Sequence, residues 1–301
     1  MYPIGIQDFR KLREEGYVYV DKTRHIVEAF GRGRFYFLSR PRRFGKSLML
    51  STIFELYSGS DSLFEGLWAS EHWDFEEERR PVIWLKFSSS GFRSMGLKAG
   101  LHNLLDEEAA RLGVALPSGL PPEQRLRLLI QRAAAQSGGR RIVLLADEYD
   151  KPIVDYLGDG ERAEANSAAL KTFYSVLKDA DPYVHLAVLT GVTAFAKGSI
   201  FSDLNHVRNI SLDPIAQTLV GWTDAELDAY FAEPLARSEE DRVAIRQWYN
   251  GYAFGGNAER VYNPWSLLNY FASGVLENYW YETGTPAWLA RLMHERGGAP
   301  A

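Results

Sequence analysis

The chain has 301 residues, a net charge of −5 and no cysteine. The lack of cysteine excludes a disulfide framework, a zinc finger, an iron–sulfur cluster and a thiol nucleophile. The longest run without a charged residue, 261–276, is too short and too polar to span a bilayer. The N-terminus also lacks the pattern of a secretory signal. These features predict a cytoplasmic globular protein with no membrane partner.

Apolar runs alternate with helical patterns along the first two thirds of the chain, which predicts an α/β fold with a mostly parallel sheet. The expected strands are 34–39, 82–87, 142–146 and 183–190. Apolar residues recur at helical spacing in four segments, which we predict as helices: 47–57, 97–112, 124–135 and 163–177.

The texture of the sequence changes after residue 212. Thr223 and Glu226 form the pattern of a capping box, with an apolar helical pattern behind it. Asn263 followed by Pro264 is typical of a helix start. We therefore predict a core domain at 1–212 and a small, mainly helical region at 213–301.

The segment SRPRRFGKS (39–47) lies between a predicted strand and a predicted helix. It matches the phosphate-loop pattern G-x-x-x-x-G-K-[ST], except that Arg40 replaces the first glycine. In such a loop, backbone N–H groups cradle phosphate, the lysine reaches the β- and γ-phosphates, and the serine hydroxyl binds Mg²⁺. The residues predicted to bind nucleotide here are Arg43, Phe44, Gly45, Lys46, Ser47 and Leu48, with Ser47 also a metal ligand. The alternative is a basic turn on a solvated face, because four positive charges fall within 40–46.

The segment IVLLADE (142–148) is an apolar strand that ends in two acids, the Walker B pattern. Asp147 is predicted to hold Mg²⁺ through its water shell, and Glu148 to orient and deprotonate the attacking water. Acids at strand ends also cap following helices, but that alternative does not explain why the pair follows a phosphate loop. Together the two motifs predict ATP and Mg²⁺ as cofactors.

Paired acids of this kind indicate the P-loop NTPase subclass with an extra strand between the two motifs, and 82–87 supplies such a strand. The strand 183–190 is then expected beside the strand that leads into the phosphate loop. Thr190, at its end, is predicted to lie near the γ-phosphate as a sensor. A threonine that caps a turn is the alternative.

Seven segments follow one another in an order that resembles the prokaryotic AAA-ATPase-like family. They are YVDKT (19–23), SRPRRFGKS (39–47), DEYDKP (147–152), TGVT (190–193), KGSIFS (197–202), WYNGY (248–252) and YNP (262–264). Arginine at position 40 is typical of this family's phosphate loop. The resemblance implies an AAA-like P-loop core with a lid or winged-helix-like region from 213 onward. Members often carry a C-terminal restriction-endonuclease-like nuclease domain.

The resemblance also suggests roles for residues outside the two motifs. Segment 17–23 would lie near the adenine, or else form an edge strand in which Asp21 caps the next helix. Lys197 and Ser199 would contact a partner or the phosphates, or else tie a loop. A lid arginine would lie over the nucleotide, and three candidates stay open: Arg242, Arg246 and Arg260.

The function predicted from the sequence is Mg²⁺-dependent ATP binding and ATP hydrolysis, with Glu148 and Lys46 as catalytic residues. ATP is preferred because the chain has no N/T-K-x-D guanine-recognition loop. The alternative is an ATP-binding switch or scaffold with little turnover that controls an attached or partner effector such as a nuclease, with DNA as a further partner. Oligomerisation stays open. The chain alone is not expected to cleave nucleic acid, because the residues after 286 are too few for a nuclease domain.

Overall fold

The structure is a computed structural model that describes residues 2–192, 206–238 and 240–284. The described residues form two compact units, each made of stretches that are not contiguous in sequence. The first unit contains 2–32, 40–78, 209–238 and 240–284, and the second contains 33–39, 79–192 and 206–208. The division at residue 212 expected from the sequence stays a prediction.

Helices occur in both units. The α-helices of the described residues are α1 (Phe9–Glu14), α2 (Thr23–Phe30), α3 (Lys46–Ser58), α4 (Ala69–His72), α5 (Phe92–Met95), α6 (Leu97–Leu112), α7 (Pro122–Gln136), α8 (Lys151–Val154), α9 (Gly160–Ser175), α10 (Asp224–Tyr230), α11 (Ala232–Arg237), α12 (Arg242–Tyr249), α13 (Pro264–Ser273) and α14 (Tyr279–Gly284). The four predicted helices of the first two thirds are confirmed as α3, α6, α7 and α9, with ends that differ by up to three residues.

The strands form two sheets. They are β1 (Phe35–Ser39), β2 (Val82–Lys86), β3 (Ile142–Asp147), β4 (Val184–Gly191), β5 (Arg208–Asn209), β6 (Asn250–Ala253) and β7 (Arg260–Tyr262). The larger sheet has the order β2-β3-β4-β1-β5, and the pairs β2–β3, β3–β4 and β4–β1 are parallel. The predicted α/β fold with a mostly parallel sheet is confirmed.

The order of the large sheet places β4 between β1 and β3. The strand expected beside the one that leads into the Gly/Arg-rich loop is therefore found there. The strand β2 follows that loop in the chain, as expected, but in the sheet it lies at the edge, beyond β3. The strand inserted between β1 and β3 in space is β4.

The central strands are apolar because they are buried on both faces. Every residue of β3 is buried, and β1 and β4 are buried over nearly their whole lengths. The core of the second unit packs side chains of these strands against side chains of α6, α7 and α9. Continuous apolar runs are typical of parallel strands covered by helices on both sides.

Side chains of α6 cover the free edge of β2. The backbone N–H of Trp84 donates to Glu108 Oε2 at 2.7 Å, and the Arg111 guanidinium donates to the carbonyl of Val82. Lys86 Nζ lies 3.7 Å from the centroid of the Trp84 ring. Two backbone groups at this edge are thus satisfied within the unit.

The first unit contains both helix-start signals of the C-terminal region. The capping box is confirmed, since the Thr223 side chain accepts from the N–H of Glu226 and the Glu226 carboxylate accepts from the N–H of Thr223. Asn263 Oδ1 accepts from the N–H of Ser266 at 2.9 Å, which confirms the start of α13. The antiparallel pair β6–β7 was not expected, because its two short strands carry no clear alternation.

Within the described residues, none of the helices combines the length and apolar character that crossing a membrane requires.

Candidate functional site

The loop 40–45 joins the end of β1 to the start of α3. Two of its residues adopt left-handed backbone conformations, Arg43 with φ 66° and Gly45 with φ 96°. Among the described residues no side chain caps the N-terminus of α3, and its first turn holds no acid. The first N–H groups of a helix and the positive end of its dipole together favour an anion. The start of α3 therefore has the properties of an anion site.

Space is available beside this helix terminus. A Cβ built on Gly45 would meet no described atom within 4 Å. The left-handed conformation is one that glycine adopts without strain, which explains the residue type at this position. The open space, the helix terminus and the oriented loop backbone fit a phosphate group.

Lys46, the first residue of α3, turns its side chain back into the loop. It is buried, and its Nζ donates to the carbonyl oxygens of Arg40 and Pro41, each at 2.9 Å. The ammonium group is thus held within the loop in which the sequence predicts it to act.

Arg40 is a structural residue of the loop. Its side chain is 1% exposed, and its two terminal nitrogens donate to the carbonyls of Ser211 at 2.7 Å and Ala216 at 2.6 Å. Its guanidinium also lies 4.0 Å from the ring centroid of Phe254. Burial lowers the pKa of Arg40 to about 10. The alternative of a wholly solvated basic turn is therefore wrong for this residue.

Phe44 is buried against two aromatic residues of the C-terminal region. Its ring centroid lies 4.6 Å from that of Tyr252 and 5.6 Å from that of Phe254, and both contacts are edge-on. Phe44 was predicted to bind nucleotide, and its buried ring leaves only its backbone available for that role.

Two tryptophans extend this contact. The guanidinium of Arg43 lies 4.2 Å from the ring centroid of Trp265, and Trp280 Nε1 donates to the carbonyl of Arg42 at 3.0 Å. We call the four aromatic residues that contact the loop the aromatic clamp, which consists of Tyr252, Phe254, Trp265 and Trp280. Sequence reasoning placed these residues in the mainly helical region at 213–301 but did not connect them to the loop.

In the second unit, two predicted residues meet at the carboxyl edge of the sheet. Thr190 Oγ1, at the end of β4, donates to Asp147 Oδ1, at the end of β3, at 2.8 Å, and both residues are buried. Strand register pairs Ser39, the last residue of β1, with Gly191. The carboxyl ends of the three neighbouring strands therefore share this edge.

Glu148 has a strained backbone. Its φ of 54° is left-handed, a conformation that is uncommon for residues other than glycine. The turn is held by two hydrogen bonds, from the N–H of Tyr149 to the carbonyl of Thr190 and from the N–H of Lys151 to the carbonyl of Glu148. The Glu148 side chain is 30% exposed. It is available to solvent, as a group that handles a water molecule must be.

The rest of this turn is closely packed. Asp150 is buried, and its Oδ2 accepts from the N–H of Val192 at 3.0 Å. A Cβ on Gly191 would lie 2.6 Å from the ring of Tyr149 and 2.8 Å from the carboxyl group of Asp150. Glycine is therefore required at this strand end. Sequence reasoning did not predict this close approach, although the TG pair at a strand end was visible.

The predicted metal ligands come from different units, Ser47 from the first and Asp147 from the second. The described residues contain no group of three or more His, Asp or Glu residues that could hold a metal ion by themselves. Mg²⁺ is usually bound by one or two protein oxygens together with phosphate oxygens and water. Each predicted ligand, taken by itself, offers the oxygen donor that Mg²⁺ prefers.

The segment 17–23 does not form the edge strand of the sequence alternative. Asp21 accepts from the N–H of Thr23 at 2.8 Å and from the N–H of Trp68 at 2.7 Å, but the N-cap residue of α2 is Lys22 and no described side chain caps the helix, so the expected capping by Asp21 is not found. Lys22 is buried, and its Nζ donates to both carboxylate oxygens of Glu226, at 2.6 Å and 2.7 Å. Burial lowers the pKa of Lys22, and the Glu226 carboxylate opposes that shift. This segment is therefore held by buried polar contacts.

Two of the three candidate lid arginines form ion pairs. Arg242 lies 3.1 Å from Asp224 and 3.2 Å from Asp228, and Arg246 lies 3.4 Å from Asp224. Arg260 is exposed, and the described part of the chain shows no ion pair for it. Lys197 and Ser199 lie outside the described residues.

Comparison with known proteins gives one family and one relative. A family model described as predicted AAA-ATPase matches residues 3–201. A protein from Azotobacter chroococcum mcd 1, described as an uncharacterized protein in the vnfD 5′ region, is 44% identical over 298 residues. The match covers 98% of this chain and 56% of that protein, so the chain spans about half the length of the relative. No solved structure gives a significant match.

The family match extends over about two thirds of the sequence and includes the loop 40–45, the acids that end β3 and the end of β4. The chain therefore belongs to the predicted AAA-ATPase family.

Proposed function

We propose that this chain binds ATP together with Mg²⁺ and hydrolyses it to ADP and phosphate. The observation that carries the proposal is the N-terminus of α3, a helix start without a side-chain cap, preceded by a left-handed glycine with open space beside it. Phosphate is the ligand that such a terminus favours. Membership of the predicted AAA-ATPase family supports the same ligand.

In this proposal the phosphates bind to the backbone of the loop and the start of α3, with residues 43–48 as the nucleotide-binding set. Lys46 Nζ exchanges its two loop carbonyls for oxygens of the β- and γ-phosphates. The exchange replaces neutral acceptors by negatively charged ones, which adds attraction between opposite charges.

The acids that end β3 provide the catalytic groups of the proposal. Ser47 and Asp147 would hold Mg²⁺, which would neutralise charge on the phosphates. Glu148 orients a water molecule and accepts its proton as the water oxygen bonds to the γ-phosphorus, while the bond to the β–γ bridging oxygen breaks. Thr190 fixes the Asp147 carboxylate through its hydroxyl. Positioning and charge neutralisation supply most of the catalysis of phosphoryl transfer.

The C-terminal region supports a second candidate function, an ATP-dependent switch with little turnover. The aromatic clamp and the buried Arg40 connect the phosphate loop to residues between 211 and 280 of the same unit. A change in the loop on nucleotide binding therefore alters the contacts of those residues directly. We propose that this region acts as a lid and that it controls an effector such as a nuclease acting on DNA. We place the chain in the cytoplasm.

Titration of the purified chain with a fluorescent ATP analogue, in Mg²⁺ and then in EDTA, tests the first proposal. We expect saturable binding that is tighter with Mg²⁺ and is displaced better by ATP than by GTP. Phosphate release, measured with and without DNA, separates the two functions, because a switch binds ATP but releases phosphate slowly in both conditions. No binding at millimolar ATP would contradict both.

A further inference from the structure

In the second unit, Glu148 belongs to a series of neighbouring charged side chains. Lys151 Nζ lies 3.5 Å from Glu148 Oε2 and 3.7 Å from Asp155 Oδ2. One ammonium group therefore stands between two carboxylates. The Lys151 side chain is 22% exposed, so the pair with Glu148 is screened by solvent less than a pair at the open surface.

Arg93 is the last member of this series and contacts Asp155. Its Nε donates to Asp155 Oδ2 at 2.9 Å, and a terminal nitrogen forms an ion pair with the same oxygen at 2.7 Å. Asp155 has a side chain that is 7% exposed, while Arg93 is 67% exposed. Because Arg93 already balances the charge of Asp155, the charge of Lys151 remains available to Glu148. Asp155 in turn keeps the ammonium of Lys151 from moving away.

Glu148 needs such support because the turn fixes its backbone at a φ of 54° but does not by itself set the side-chain torsions that orient the carboxylate. Ordering a glutamate side chain costs about 1.5–2 kcal/mol of rotamer entropy. A fixed ammonium near one carboxylate oxygen reduces the number of orientations that Glu148 samples.

Helix stability does not explain a lysine at this position. Lys151 is the first residue of α8, a helix of four residues. A single helical turn has little dipole to favour or oppose a charge, so the helix gives no reason for a lysine here. The position is better explained by what the ammonium contacts.

We propose that Lys151 is a positioning residue that holds the Glu148 carboxylate in the orientation needed to accept a proton from water, and that Asp155 and Arg93 hold Lys151. The inference rests on the proposed ATP hydrolysis and deepens it. Lys151 acts through Glu148 and does not itself touch the nucleotide.

The test is the steady-state kinetics of Lys151→Gln and Lys151→Arg beside ATP binding by the same proteins. Lys151→Gln keeps a polar side chain, one atom shorter, but removes its charge, and we expect kcat to fall about 10- to 100-fold, the scale of a misplaced catalytic group. KM and the Kd for ATP should stay at their wild-type values. Lys151→Arg should recover most of the lost rate, which a loss of simple packing would not predict.

Three further variants test whether the loss of rate is specific to the contact between Lys151 and Glu148. Arg162→Gln removes another i, i+3 ion pair of the same unit, 3.9 Å from Asp159, and should leave kcat unchanged. Arg93→Gln should lower kcat in the same direction by a smaller factor, and its exposed position makes loss of folding a minor concern. Adding Lys151→Gln to Glu148→Gln should lower the residual rate no further.

The outcomes separate this inference from the proposed function. A wild-type chain that hydrolyses ATP beside a Lys151→Gln variant with unchanged kcat would overturn the inference alone. A raised Kd for ATP in Lys151→Gln would also overturn it, because Lys151 would then contact the nucleotide. A wild-type chain that binds ATP without releasing phosphate would overturn the proposed hydrolysis and the inference with it.

Discussion

The loop 40–45 and the turn around Glu148 use side chains and backbone in opposite ways. In the loop, the side chains of Arg40 and Phe44 are buried in the protein, and in the proposed function the backbone is the part that binds the ligand. In the turn, backbone hydrogen bonds and a close approach at Gly191 fix the chain, and the Glu148 carboxylate is left accessible. A region that binds through its backbone can use its side chains for support, and a region that reacts through a side chain needs support from its backbone.

Both regions contain a residue other than glycine in a left-handed conformation, Arg43 in the loop and Glu148 in the turn. Such residues cost about 1–3 kcal/mol each and persist only where their surroundings hold them. The surroundings differ in kind, because Arg43 stacks on Trp265 while the turn of Glu148 is held by hydrogen bonds to β4 and within itself.

The largest effect is expected from Glu148→Gln, which tests whether the turn acts through its exposed side chain. The amide keeps the shape of the carboxylate but cannot accept a proton, and loss of a general base costs about 10²–10⁴-fold in rate. Phosphate release should fall by that factor, while ATP affinity stays unchanged. Glu161→Gln, an exposed acid of the same unit, is the control and should keep the full rate. A full rate in Glu148→Gln would assign proton acceptance to another acid.

Arg40→Ala tests the structural role of a loop side chain. Its removal takes away two hydrogen bonds to the buried carbonyls of Ser211 and Ala216, and the free energy of unfolding should fall by about 3 kcal/mol. Urea denaturation measures the change. Arg42→Ala, two residues further along the loop, has a half-buried side chain and should change stability by less than about 0.5 kcal/mol. Equal losses in the two variants would mean that charge in the loop, rather than the position of Arg40, determines stability.

Lys46→Ala tests the side chain that we expect to change partners on binding. Hydrogen bonds to charged groups contribute about 1.5–3 kcal/mol, so the affinity for ATP should fall about 10- to 100-fold. Isothermal titration calorimetry measures the affinity, and circular dichroism checks the fold. Lys11→Ala, on an exposed face of the same unit, should bind ATP like the wild type. Wild-type affinity in a folded Lys46→Ala protein would contradict the phosphate-loop assignment.

Thr190→Val should give the smallest effect. The substitution keeps the shape of the side chain but removes the hydroxyl that donates to Asp147, and one such bond contributes about 1 kcal/mol to stability. Thermal unfolding should register that loss, and binding of ATP in Mg²⁺ should weaken slightly. Thr172→Val removes an exposed hydroxyl that, among the described residues, bonds to a carbonyl of its own helix, α9, and stability should hardly change. If Thr190→Val is neutral, Asp147 is oriented by other contacts.

The sequence predicts four of the five strands of the large sheet, because the local pattern is enough for them, and it does not predict β5. The apolar runs give β1 to β4 to within one residue at each end, and the prediction that 183–190 lies beside β1 is confirmed. The capping signals of Thr223 and Asn263 also predicted helix starts correctly, since a cap depends on residues within three positions. The short pair β6–β7 lacked such a local signal.

The role of Arg40 could not be predicted from the sequence in the same way. Its partners Ser211 and Ala216 follow it by 171 and 176 residues, and Trp280 follows Arg42 by 238. No periodicity connects residues at such separations. The same holds for the ion pair between Arg93 and Asp155, because neither belongs to a recognised motif.

The covered edge of β2 restricts how this protein can associate with others. A strand that joins a sheet must exchange hydrogen bonds with the free N–H and C=O groups of the edge strand. Along β2, the N–H of Trp84 is taken by Glu108 and the C=O of Val82 by Arg111. An added strand would have to displace both side chains. This edge is thereby protected from strand addition by a partner and from the edge-to-edge pairing that begins aggregation.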